Sequence, residues 1–154
     1  MVELICAALL IGFVAGLRAF MAPTIVSWAA TVGLWGRVWG VVHIMQAPFM
    51  PGIFTGLALF ELIFDKLPFT PTRKAPIQLL ARMMMGGLAG ATIGAASISL
   101  KYGLVCGIVG AIIGTFVGAA VRKALARLFG RDWPAALLED VVAIGLGITA
   151  IFIP

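Results

Sequence analysis

Charge is scarce in this chain: only 11% of its 154 residues are Asp, Glu, Lys or Arg, one is a histidine and two are cysteines. So few ionisable groups cannot solvate the surface of a water-soluble domain. Cys6 and Cys106 lie in separate apolar runs with no second ligand at metal spacing, which argues against a disulfide framework or a zinc site and reads them as small hydrophobic residues. With His43 alone and Ser27, Ser97 and Ser99 lacking a neighbouring base, no nucleophile and base set is visible, and no glycine-rich turn follows a strand to cradle phosphate. The sequence names no cofactor. A net charge of +5 suggests no nucleic-acid partner, because the basic residues sit at the ends of apolar runs, in loops too short to form a basic face.

What is present is apolar: 62% of the residues are hydrophobic and the mean hydropathy is +1.15. Spanning the hydrocarbon takes about 20 apolar residues as a helix, so the length predicts a single transmembrane domain over 1–154, an all-α compact bundle of about five to six crossings in membrane lipid. The expected helices cover 4–22, 51–67, 77–99, 103–128 and 134–153. The first reads as a retained helix and not a signal peptide, because Glu3 stands where a basic region would and Arg18 follows the apolar stretch. The run 24–45 is long enough to cross once, but Gly33, Gly36, Arg37 and Gly40 interrupt it, so it is either one crossing or a broken, re-entrant segment.

If the later helices alternate in direction, Lys66, Arg73, Lys74, Arg122, Lys123, Arg127 and Arg131 share one side, and Lys101 lies on the other. The asymmetry predicts an inner-membrane protein with cytoplasmic loops at 66–76 and 122–132 and an external C-terminus. The N-terminus is outside if 24–45 crosses and inside if it is re-entrant.

Two patterns stand out. Gly86, Gly90 and Gly94, and Gly110, Gly114 and Gly118, recur every fourth residue, with Gly12 and Gly16 as a further pair. Each series forms one smooth helix face for close packing, within the chain or in a homodimer. Against this stand Arg18, Glu61, Asp65, Lys66, Arg82, Glu139 and Asp140, charges in or beside apolar helices. A charge near the bilayer centre costs about 2.5–3.5 kcal/mol on insertion scales, so such groups pair, face a wet cavity or reach the interface. By depth the expected pairing is Arg18 and Arg82 with Glu61 and Glu139, while Asp65 and Lys66 sit nearer the interface. Such a centre is either an ionic lock or a substrate or ion pathway.

The segments GLRAF (16–20), ELIFDKLPFTP (61–71), ARMMMGGLAGATIG (81–94) and LLEDVVAIG (137–145) together resemble a family of small bacterial integral-membrane proteins known as a domain of unknown function. The resemblance implies a compact multi-pass helical fold and places Arg18, Glu61, Asp65, Lys66, Pro68, Glu139 and Asp140 at motif positions. It brings no activity, substrate or catalytic residue. A glycine-containing helix with an arginine, followed later by a helix with acids, occurs in both halves, which raises a loose inverted repeat of the kind that builds transporters. Two functions follow: a transporter or channel-like permease acting as a homodimer, or a non-catalytic structural or assembly subunit with a membrane-protein partner.

Overall fold

The computed structural model describes residues 2–36, 40–64, 75–97 and 99–153. Among them are six α-helices and one 3₁₀ helix: α1 Val2–Leu17, α2 Met21–Thr31, the 3₁₀ helix Gly40–Gln46, α3 Met50–Phe64, α4 Pro76–Ser97, α5 Leu100–Phe129 and α6 Asp132–Ile151. The residues described are helical or in turns, with no strand among them. Three helices, α4, α5 and α6, are long and apolar enough to cross a membrane.

Helices α4, α5 and α6 run in alternating directions, so the start of α4, the end of α5 and the start of α6 lie together at what is called here the basic end. The α5–α6 hairpin turns at Gly130, whose φ of 66° is a left-handed helix stop that glycine adopts at little cost. Helix α1 inserts parallel to α5 and antiparallel to α4. It is enclosed, with Ala7, Ala8, Ile11, Val14 and Ala15 all at 0% exposure, because glycines open the way for it. A Cβ on Gly12 would collide with the carbonyl oxygen of Gly107, one on Gly110 with that of Leu9, and one on Gly114 with that of Phe13. On the other face of α5, a Cβ on Gly107 would strike the Gly86 carbonyl, and one on Gly90 the Gly103 carbonyl. These glycine faces therefore meet backbone of the same chain, at separations that a side chain forbids.

The expected first helix over 4–22 breaks earlier than its proline suggests. Helix α1 ends at Leu17, residues 18–20 turn, and Pro23 falls in the first turn of α2, where its missing N–H costs nothing. The two helices form a hairpin. Val14 of α1 and Ile25 of α2 both approach Gly147 of α6, and α2 then runs back until Trp35 donates its Nε1–H to the Ile151 carbonyl at 3.1 Å. At about 1.5 Å per residue, α1 with 16 residues and α2 with 11 are each shorter than the roughly 30 Å hydrocarbon thickness.

The segment 24–45 is broken, as its glycines imply. Gly33, Gly36 and Gly40 have φ of 77°, 73° and 80°, a region that disfavours other residues and ends α2. Gln46 ties the turn together by donating to the carbonyls of Gly36 at 2.5 Å and Ala30 at 3.3 Å. Helix α3 then descends along α2 on the periphery of the bundle, with Trp28 Nε1–H donating to Thr55 Oγ1 at 3.1 Å. The halves do not mirror each other: α1 is embedded against α4, α5 and α6, whereas its counterpart α4 meets α2 only lightly.

Candidate functional site at a helix break

The turn at 18–20 leaves two helix ends inside the bundle. An α-helix end carries carbonyls or amides without intrahelical partners, and the peptide dipoles make the C-terminal end negative and the N-terminal end positive. In water these groups would be hydrated. Here other helices serve them.

Arg82, the seventh residue of α4, is 2% exposed. Its Nη1 donates to the carbonyls of Gly16 and Leu17, the latter at 3.1 Å. A guanidinium thus lies on the negative end of α1. The N-terminal end of α2 has the opposite need, and Phe20 at its N-cap offers no side-chain acceptor. Glu61, half-buried on α3, fills the gap: Oε1 accepts from the Ala19 amide at 2.8 Å and Oε2 from the Phe20 amide at 2.9 Å. Each charge has the sign its helix end favours.

Arg18 belongs to the break itself and is 1% exposed. Its Nε donates to Asp140 Oδ1 at 2.6 Å, joining the break to α6. The neighbouring Glu139, 8% exposed, points to α5, with Oε2 lying 3.7 Å from Arg122 Nη1. Arg122 also makes a two-pronged bond to Asp132, at 2.9 Å and 2.5 Å. That contact fixes the α5–α6 turn from a more exposed position.

The embedded charges therefore come together. Among the described contacts Arg18 meets Asp140 and Arg122 meets Glu139. Glu61 and Arg82 are bound to backbone, which a charge-pairing argument overlooks. Because α6 advances 100° per residue, Glu139 and Asp140 serve different helices, as their adjacency requires. Asp65 and Lys66 lie outside the described residues. Arg122 was missed as part of the centre and read only as a topological charge. A signal existed: it continues the Gly110, Gly114, Gly118 series by one more turn, on the face that packs against the bundle.

No group of three His, Cys, Asp or Glu able to hold a metal occurs among the described residues. Cys6 and Cys106 are free. Chemically, the arrangement can neutralise helix ends, hold three helices in register around a break and, where a partner is released, offer a helix terminus to an ion.

No curated protein and no solved structure matches the chain. A family model does match residues 5–154, and the protein belongs to that family, DUF4126, described as a domain of unknown function.

Proposed function

We propose that the protein is a multi-pass subunit of the cytoplasmic membrane that assembles with other membrane proteins, and that its charged centre is a structural lock. The observation that carries this reading is how the buried guanidiniums are used. Arg18 and Arg82, 1% and 2% exposed, are engaged by a carboxylate and by helix-end carbonyls. An ion pathway needs groups that exchange partners with water. A buried network of this kind resists exchange and fixes helix geometry. The basic end, with Lys123, Arg127 and Arg131, faces the cytoplasm and both termini face outward. Purification from native membranes after crosslinking tests the reading: a stoichiometric partner protein is expected, and an isolated homomer contradicts it.

One observation favours a second reading, a homodimeric permease. Glu61 is only half-buried, and its helix, α3, packs chiefly against α2 and the 3₁₀ helix among the described residues. An outward movement of α3 would withdraw the carboxylate from the N-terminus of α2 and leave an anion-binding position beside Arg18 and Arg82. Glu61, Asp65, Glu139 and Asp140 would then carry a cation or protons. Proteoliposome flux that is abolished by Glu61→Gln supports the permease; absence of flux, or flux indifferent to the change, removes it.

A further inference from the structure

The packing of α1 against α5 repeats with each turn. A Cβ on Gly114 would strike the Phe13 carbonyl, and one on Gly110 the Leu9 carbonyl, so a step of one turn on α5 matches a step of one turn on the parallel α1. The same step taken once more toward the helix starts sets Cys106 beside the Ile5 carbonyl, whose peptide leads into Cys6. The two cysteines, in separate apolar runs of the sequence, thus reach one depth on adjacent helices.

They also share one flank. Cys6 lines a groove with Leu9, Leu10 and Phe13 of α1 and with Gly110 and Ile113 of α5. Cys106 lies one turn before Gly110 on the same face of α5, at the border of that groove. The backbones are close: since a Cβ lies about 1.5 Å from its Cα, a Cβ on Gly12 at 2.8 Å from the Gly107 Cα puts the two Cα atoms within about 4.5 Å. A disulfide spans about 4.4–6.8 Å between Cα atoms. Cys6 is the fifth residue of α1 and Cys106 the seventh of α5, so both lie within about 10 Å of the helix starts, at the end opposite the basic one. In the orientation proposed above that end faces away from the reducing cytoplasm.

We propose that Cys6 and Cys106 are a redox pair that closes into an intrachain disulfide and so clamps α1 to α5. Cys6 is exposed and Cys106 half-buried, which assigns first contact with the oxidant, itself a disulfide, to Cys6. The Cys6 thiol loses its proton and attacks the oxidant, releasing one thiol. The Cys106 thiol, deprotonated in turn, attacks the Cys6 sulfur of the mixed disulfide and releases the second. Two electrons pass from the pair to the oxidant, and the two protons end on its thiols.

The test uses the full chain in nanodiscs, reduced and then exposed to glutathione disulfide, with free thiols alkylated before digestion and mass spectrometry. Because the oxidant is added to purified protein, the result is independent of membrane orientation. Most of the wild type is expected to yield a linked peptide pair containing Cys6 and Cys106 that is lost on reduction. Cys106→Ser should stop at the Cys6–glutathione mixed disulfide. Oxidised wild type should unfold about 5 °C or more above its reduced form, and an unchanged midpoint overturns the clamp. Alkylation of both cysteines after oxidant treatment overturns the pairing, as does a Cys6–Cys6 link between two copies.

Discussion

The glycine faces and the helix break solve the same problem by opposite means. Backbone within a bilayer must be covered without water. Where α1 meets α5 and α5 meets α4, the chain removes side chains, so that Gly12, Gly86 and Gly107 bring carbonyls against bare Cα atoms. At residues 18–20 it sends in the longest and most charged side chains, Arg82 and Glu61, to reach exposed helix ends. The difference lies in what the backbone has left over. A continuous helix satisfies its own polar groups and asks only for close packing. A broken one leaves donors and acceptors unmet, and a formal charge at each end is the strongest substitute for water.

That contrast can be broken at either side. The largest effect is expected from Gly107→Leu, since the added side chain strikes the α4 backbone at Gly86 and Gly90. A loss of about 3 kcal/mol or more should appear as collapse of the thermal unfolding midpoint in detergent. Arg82→Gln comes next, at about 2 to 3 kcal/mol, because a charged donor to two buried carbonyls is lost. In hydrogen exchange the loss should localise to the end of α1. Glu61→Gln retains one acceptor oxygen and the side chain's length, so about 1 kcal/mol is expected, with faster exchange at the Ala19 and Phe20 amides. Asp132→Asn sharpens the comparison from outside. Its side chain is 61% exposed, and solvent screening limits the loss to under about 1 kcal/mol, shrinking further at high salt. Least of all should come from Gly52→Ala on the peripheral α3, where a Cβ meets nothing within 4 Å. That change should be neutral or slightly stabilising, since alanine is the better helix former.

The two regions were not equally legible in the sequence. A four-residue glycine spacing is a direct statement about one helix face, so the spacing alone assigns Gly86, Gly90, Gly110 and Gly114 to close contacts. The charged residues were legible as a group sharing one depth, and Arg18, Glu61, Arg82 and Asp140 do converge. Their backbone partners were not. A sequence displays side-chain charges but hides the polar groups of the backbone, and Arg82 and Glu61 serve those groups. The position of the break was hidden for the same cause. Pro23 is a conspicuous signal, yet the turn falls at Arg18–Phe20, where nothing in the local sequence forbids helix and where long-range capping stabilises the ends. Arg122 was obscured by its position in a basic run, which topology alone explained.

The most direct test of the charged centre is a double-mutant cycle on the close ion pair of Arg18 with Asp140 at 2.6 Å. Thermal or denaturant unfolding in detergent would be measured for Arg18→Leu, Asp140→Leu and both together. Mutual compensation inside the membrane predicts that each single change costs about 3 to 5 kcal/mol, by leaving one buried charge unanswered, and that the double variant recovers most of that loss. Two small losses that simply add would contradict it.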